Sequence, residues 1–369
     1  NINLIADVSV AKAIANDSGK ITAPSFFNMD ILRGKTALSL ENKYEKFEGA
    51  LKIYHNFGEH TLSDGFHSTD RNSGIMLYQT LKLLPNNTIT LGTDLKQYGG
   101  MATSPSPVIN NQNQLITINE LAVYAYLQQS IFKQLTLSAG VRYENNSIYG
   151  DEWIPMGGVS YNPTSTTTIK GSVSKGFRSP TIRELYLLFP NPNLKPERMI
   201  NIEVSWLQSF FNDHLNTELT LFYAKGDSLI QRSPPNVWEN TGSFINTGVE
   251  FSAKYTVNKH LYFIGNYSYL DLAKPVLAAP RQQLNISGNY TYKIFNLNVA
   301  TQYIEKLYTS ITPKVTQDYV LLNARLSARP VKNLDIFVMG NNLLNQQYEI
   351  NDGYPMPGIN YNIGFNVKF

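Results

Sequence analysis

Period-two alternation of apolar and polar side chains runs through this chain from end to end. In the last segment Tyr361, Ile363, Phe365, Val367 and Phe369 fall on one face, and Asn360, Asn362, Gly364, Asn366 and Lys368 on the other. Leu284, Ile286, Gly288, Tyr290 and Tyr292 oppose Asn285, Ser287, Asn289, Thr291 and Lys293 in the same way. So do Leu135, Leu137, Ala139, Val141 and Tyr143 against Thr136, Ser138, Gly140, Arg142 and Glu144. Strict alternation means strands with one apolar and one polar face. Each segment is about ten residues long, the length a tilted strand needs to cross a hydrocarbon layer. Roughly 18 such segments fit the template.

The connections alternate too. Short ones sit at 43–46, 85–87, 162–165, 212–215, 258–260, 293–296 and 330–333. Long ones sit at 58–72, 97–113, 145–152, 176–198, 225–243, 271–281, 304–317 and 345–359. Short turns on one rim and long loops on the other suit a barrel in an outer membrane. A soluble sandwich or propeller has no reason to sort its loops, and no blade repeat is present. Charged residues make up only 16% and Tyr number 23, while mean hydropathy is −0.24. No run of about 18 apolar residues offers a transmembrane helix. The expected fold is all-β: a membrane-spanning, antiparallel, up-and-down β-barrel occupying residues 1–369. Lipid leaves sheet edges unsatisfied, so the sheet must close on itself.

Several function classes drop out. A net charge of +3 is too small to suggest a nucleic-acid partner. With no Cys there is neither a disulfide framework nor a thiolate metal site. No GxSxG or HExxH motif and no Ser, His and Asp grouped at the rim point to an enzyme, and no cofactor is called for. The chain opens inside a strand-like pattern without a signal peptide, so a preceding segment is expected.

Two segments and the terminus carry a resemblance. Gly176-Phe177-Arg178-Ser179-Pro180-Thr181-Ile182-Arg183-Glu184-Leu185-Tyr186 continues through Asn191-Pro192-Asn193-Leu194-Lys195-Pro196-Glu197. This resembles the paired FRAP and NPNL boxes of TonB-dependent outer-membrane receptors. Asn341-Asn342-Leu343-Leu344-Asn345-Gln346-Gln347-Tyr348-Glu349, followed by Gly353-Tyr354-Pro355-Met356-Pro357-Gly358 and the last strand, resembles the C-terminal segment of the haem, cobalamin and colicin-receptor branch. Asn362, Gly364, Val367 and Phe369 resemble the terminal signal read by the barrel-assembly machinery.

The resemblance implies a 22-stranded barrel around an N-terminal plug, of which this chain would be the barrel portion without the plug and first strands. It implies a bacterial outer-membrane receptor that imports a metal chelate, namely a ferric siderophore, haem or cobalamin. Loops would bind the ligand, and the TonB complex would act through an N-terminal segment. A passive porin-like channel and an adhesive barrel are the alternatives. Candidate ligand-binding residues are Phe177, Arg178, Ser179, Pro180, Tyr186, Asn191, Pro192, Asn193 and Leu194. The prolines stiffen this loop by fixing φ. In the haem branch a His lies between the boxes; here Tyr186 is the only ring donor there. His60 and His67 share the expected loop 58–72 and are the candidates for a metal or haem iron. Alternation also turns Arg142, Glu144, Lys170, Glu203, Glu250, Lys254 and Arg325 toward the lumen.

Overall fold

The computed structural model describes residues 1–104, 113–187, 189–233 and 237–368. Phe369 of the expected assembly signal lies outside them. The strands are β1 (Ile2–Lys20), β2 (Ala23–Lys43), β3 (Phe47–Leu62), β4 (His67–Leu81), β5 (Asn87–Thr103), β6 (Ile116–Ser130) and β7 (Leu135–Asn146). Next come β8 (Gly150–Tyr161), β9 (Thr167–Arg178), β10 (Glu197–Phe210), β11 (Leu215–Ser233), β12 (Val237–Asn258) and β13 (Leu261–Leu272). The series ends with β14 (Gln282–Tyr292), β15 (Phe295–Ile311), β16 (Lys314–Val331), β17 (Leu334–Asn341), the short β18 (Glu349–Asn351) and β19 (Tyr354–Pro355), and β20 (Asn360–Val367). One helical turn, α1 (Ile182–Tyr186), interrupts the β9–β10 connection.

Eighteen strands form one sheet. Each pairs antiparallel with its chain neighbour, and β17 pairs with β20 across the β18–β19 hairpin. This is the expected up-and-down order. The register keeps faces consistent from strand to strand. Ile53 pairs with Ile75, Ile75 with Leu95, and Leu95 with Leu121, all on the outer face. Asp94 pairs with Ala122, and Ala122 with Glu144, on the inner face. A slip of one residue would turn every apolar side chain inward, so the alternation itself fixes register. All seven charged residues expected to face the lumen share the inner face: Lys170 pairs with Ser160, Glu250 with Thr220 and Arg325 with Asn298.

Outward residues stay exposed because no protein covers them; Ile363 on β20 reaches 82%. Aromatic pairs band the outer face near both rims. Tyr143 and Trp153, with tilted rings 4.9 Å apart, stand on the rim with the longer loops. Tyr44 with Phe47 and Tyr290 with Tyr292 stand near the opposite rim. Such girdles sit at membrane–water interfaces.

Two expectations need correction. The strands exceed ten residues: β1, β2 and β12 have 19, 21 and 22. Much of the expected loop is therefore continued strand. Only residues 63–66 separate β3 from β4, 147–149 separate β7 from β8, and 312–313 separate β15 from β16. Above the hydrocarbon layer a paired hairpin still satisfies its own backbone groups, so the ladder runs on into water. The long connections on that rim that are described throughout are 273–281, which is irregular, and 342–359, which carries the β18–β19 hairpin.

Among the described residues β1 and β20 form no ladder with one another. Their ends nevertheless meet at the loop rim. Lys20 Nζ lies 2.7 Å from Asp352, and the Ile21 amide donates to the Gly353 carbonyl at 3.1 Å. The sheet has thus curled far enough for the first hairpin to touch the last loop.

The two faces predict opposite responses to charge. Ile286→Arg, at mid-strand on the outer face of β14, should cost about 2–4 kcal/mol of folding stability in a bilayer. Ser287→Arg, its inner-face neighbour, should cost less than about 1 kcal/mol by analogy with other solvated sites. Equilibrium unfolding in lipid vesicles measures both, and equal losses would contradict the face assignment.

Candidate functional site

The β9–β10 connection does not stand out in solvent. It bends inward and lies across the inner face of β5–β7 as a strap. The local sequence explains its shape. Thr181 caps α1: its hydroxyl accepts from the Glu184 amide at 3.2 Å, while the Glu184 carboxylate accepts from the Thr181 amide at 2.7 Å. This reciprocal box satisfies two amides that the helix start would otherwise leave unbonded.

Apolar burial holds the strap down. Leu185 is 1% exposed and Leu194 is 2%, and both pack with Ile118 of β6 and Ile230 of β11. Tyr98, Ile148, Ile182, Tyr186 and Trp238 surround this cluster. Burying each such aliphatic side chain contributes about 1.5–3 kcal/mol. The β5–β7 wall offers apolar residues here because Tyr98 and Ile118 are paired inward-facing residues near its loop end.

Charge fixes the root. Arg178 spans two carboxylates: its Nε and Nη2 donate to Glu197 at 2.8 and 2.7 Å, and its Nη1 donates to Glu184 at 3.0 Å. Glu197 also accepts from the Ile230 amide at 2.7 Å. The clamp therefore ties both ends of the strap and α1 to the β11 wall. Burial opposes ionisation of Glu184, but the bonds from Arg178 and Thr181 outweigh it and hold its carboxyl below the ordinary range.

A second network lies beside the strap on the inner wall. Arg142 bonds Asp94 at 2.5 Å and Glu144 at 3.0 Å, and Lys96 bonds Glu120 at 2.9 Å. Tyr149, in the β7–β8 turn, joins this network to the strap: its hydroxyl donates to Glu144 at 3.0 Å and lies 2.9 Å from the Ser179 hydroxyl. Burial pushes the Tyr149 phenol up, with the Glu144 carboxylate adding to it against the Ser179 bond. Glu152, almost fully buried, holds Lys175 at 2.9 Å and Arg198.

The candidate box residues divide accordingly. Phe177 meets the Tyr149 ring edge-on at 6.2 Å, Arg178 is the clamp, and Ser179 bonds Tyr149. Pro180 and Leu194 are buried, and Tyr186 packs against the apolar cluster. Asn191 donates to the Trp238 carbonyl at 2.7 Å and accepts from the Asn193 amide at 3.0 Å. Pro192 and Asn193 remain exposed. The structure brings these nine residues together as one inward-folded element.

The second family-like segment also folds inward. Asn342 bonds the carbonyls of Gln346 and Pro357 at 2.9 and 3.1 Å. The Tyr348 ring lies tilted 4.4 Å from that of Tyr319, beside the buried Ile304, Leu307 and Leu321.

His60 and His67 do not converge. They lie on β3 and β4, where Thr61 pairs with His67 and Ser68 with His60. Adjacent residues of a strand point to opposite faces, so the two imidazoles are on opposite sides of the hairpin. His60 Nε2 is 3.9 Å from Asp70, and His67 Nε2 is 3.9 Å from Glu59. Among the described residues no cluster of three or more His, Asp or Glu could hold a metal ion. Asn362, Gly364 and Val367 lie on β20, at the edge of the sheet.

Sequence reasoning missed Tyr149 in the β7–β8 turn, and Ile118 on β6 and Ile230 on β11, which anchor the strap. The Thr181-x-x-Glu184 spacing was the readable sign of an ordered helical turn there.

The family described as TonB dependent receptor-like, beta-barrel, matches residues 15–343. The chain is similar to the vitamin B12 transporter BtuB of Photobacterium profundum, 26% identical over 246 residues, covering 62% of this chain and 40% of that protein. It is also similar to an iron-regulated outer membrane virulence protein of Vibrio cholerae, 26% identical over 216 residues, covering 48% of this chain and 31% of the relative. The fold matches a mutant of the ferric enterobactin receptor from Pseudomonas aeruginosa in complex with enterobactin, with TM-score 0.81 and 17% identity, over 92% of this chain and 63% of that one. The chain thus spans less than half the length of the two sequence relatives.

Two outcomes test the strap. Leu185→Ala should weaken its docking by about 2–5 kcal/mol, read as faster hydrogen exchange of the α1 amides with the β5–β7 ladder unchanged. Acid should act through Glu184. Its folded pKa is lowered, so its contribution is complete above the ordinary value near ~4.3 and is lost as pH falls through the lowered value. Protection of α1, taken relative to the intrinsic exchange rate at each pH, should therefore fall on acidification in the wild type, whereas Glu184→Gln should be weakly protected at neutral pH and show no such acid step.

Proposed function

The chain belongs to the TonB-dependent receptor-like β-barrel family, and on that premise we propose that it is the barrel of a receptor importing a metal chelate. It is a protein of the bacterial outer membrane. The cargo class is a ferric siderophore, haem or cobalamin, bound at the loop rim and then passed inward. The observation that carries this reading is the strap. A family-like segment folded onto the inner wall near the loop rim offers polar groups and aromatic rings there, which supports binding of a ligand at that rim.

In the whole protein the unpaired edges of β1 and β20 would be covered by further strands, since lipid satisfies no backbone group. Closure with 22 strands is the proposed form. A plug inside it would meet the inward charges of β5–β7, and an N-terminal TonB box would connect it to the energised inner-membrane complex. Asn362, Gly364, Val367 and Phe369 would address the chain to the barrel-assembly machinery. The reading involves no bond chemistry, and we assign no catalytic residue.

The full-length protein, expressed in a host lacking its own receptors, tests this reading with radiolabelled ferric enterobactin, haemin and cyanocobalamin. Accumulation of one of them should be saturable and should vanish in a host without TonB. Equal accumulation without TonB, together with ionic conductance in planar bilayers, would overturn it in favour of passive passage.

A further inference from the structure

The outer face carries a hollow where the apolar band of the barrel gives way to polar residues. It lies across β3–β7 and has a volume of about 500 Å³. Its lower edge is the paired apolar row Ile53, Ile75, Leu95 and Leu121. Two residues further toward the loops, on the same face, Ser73 pairs with Gln97 and Gln97 with Asn119. Asn145 of β7 stands opposite Leu121 and closes the hollow on that side.

These polar groups are placed but not used up. Gln97 Nε2 donates to Asn119 Oδ1 at 2.9 Å, which fixes both amides, and both residues are exposed. Among the described residues the Gln97 carbonyl oxygen and the Asn119 amino group have no further partner. They offer one acceptor and one amino donor, side by side and without charge. A hydroxyl both donates and accepts, so such a pair suits the hydroxyls of a sugar.

A cation stands directly above this row. Arg71 lies on β4 two residues beyond Ser73 and therefore on the same outer face, with Phe57 opposite it on β3 and Gly99 on β5. Among the described residues it forms no salt bridge, and its one side-chain bond is a long one of 3.4 Å from Nη2 to the Thr117 hydroxyl. At the other end of the hollow the sign reverses. There the Asp151 carboxylate accepts from the Tyr143 hydroxyl at 2.9 Å and from Asn145 Nδ2 at 2.6 Å. An anionic group above the hollow therefore belongs at its β4 end.

Going outward along the membrane normal, the chain thus presents apolar side chains, then neutral amides, then a guanidinium. A lipid whose phosphate sits on a sugar has the same order: acyl chain, hydroxyls, phosphate. A phospholipid such as phosphatidylglycerol carries its phosphate beside the acyl esters, at the level of the amides, where this wall has no cation to meet it. Basic groups at a membrane surface attract anionic headgroups, and their position decides which headgroup gains.

We propose that this hollow is a binding site for a phosphorylated glycolipid of the outer leaflet. An acyl chain lies along Ile53 to Leu121, sugar hydroxyls meet Gln97 and Asn119, and a phosphate meets Arg71. The site faces the membrane and is independent of the cargo reading.

Native mass spectrometry of the purified full-length receptor tests the assignment. The probes are bisphosphorylated lipid A, lipid A stripped of its phosphates, and phosphatidylglycerol. The wild type should retain bisphosphorylated lipid A in preference to phosphatidylglycerol. Arg71→Gln should weaken that binding about five- to tenfold, as expected for one cation near a headgroup surface, and leave the phosphate-free form unaffected. Gln97→Leu combined with Asn119→Leu should weaken both forms of lipid A and leave phosphatidylglycerol unchanged. A heat-dependent mobility shift on gels verifies that each variant is a folded barrel. Equal retention of lipid A and phosphatidylglycerol by the wild type would overturn the site without recourse to any variant. Wild-type affinity in both variants would overturn it as well. Displacement of lipid A by inorganic phosphate would reduce the hollow to a phosphate site and overturn the glycolipid.

Discussion

A hydrocarbon layer offers a peptide group no water to bond, and every other feature of this protein follows from that. A chain crossing it in extended form must pair each strand on both sides, so the strands line up in chain order and curl. Pairing then fixes two faces, and the two faces see different solvents. Ile53, Ile75, Leu95 and Leu121 share a ladder row toward lipid, and Asp94, Ala122 and Glu144 share one toward the interior. Charge is tolerated inside because water and counter-charges reach it there, and apolar groups are tolerated outside because lipid does. What remains open to variation is the loop rim, where the ladder leaves the hydrocarbon.

The inner face near that rim is where the chain builds something specific. Tyr98 and Ile118 give the wall an apolar patch at the height where the strap arrives, and Leu185 and Leu194 cover it. Burial supplies the attachment, while the clamp at Arg178 supplies the geometry, because a guanidinium bonding both Glu184 and Glu197 admits few orientations. Paired charges here do not so much add stability as choose one position for a loop that apolar contact alone would leave sliding. Arg232 shows the contrasting use of the same side chain. Rings rather than carboxylates flank it, Phe189 at 4.7 Å and Trp238 at 5.8 Å from the guanidinium carbon.

Much of this was legible in the residues. Strict alternation such as Leu284 to Tyr292 named the strands and their faces, and the compact turns at 43–46 and 293–296 named one rim. The boxes around Arg178 and Leu194 marked the segment that matters at the other. Hairpin length was not legible, because polar residues such as His60, Asp70 and Asn72 continue a ladder in water as readily as they form a loop. For the same reason His60 and His67 seemed neighbours in a loop, when one residue of offset in a paired hairpin puts them on opposite faces. The direction of the strap was also hidden. Its anchors Ile118, Ile230 and Trp238 belong to strands far along the chain, and no local pattern around Leu185 points to them. Phe189 was the least readable of all, since its left-handed backbone is imposed from outside by Asn191 and Trp238.

The measurement that tests the account most directly is a single-cysteine spin-label scan of the receptor in lipid vesicles, which the absence of native cysteine makes clean. Labels at Leu284, Ile286, Gly288 and Tyr290 should be accessible to oxygen dissolved in the hydrocarbon. Labels at Asn285, Ser287 and Asn289 should be accessible to a water-soluble nickel chelate instead, and a label at Ile118 should be immobile beneath the strap. Accessibility that rises and falls with a period near 3.6, or that is uniform along β14, would contradict the two-faced barrel on which every other statement rests.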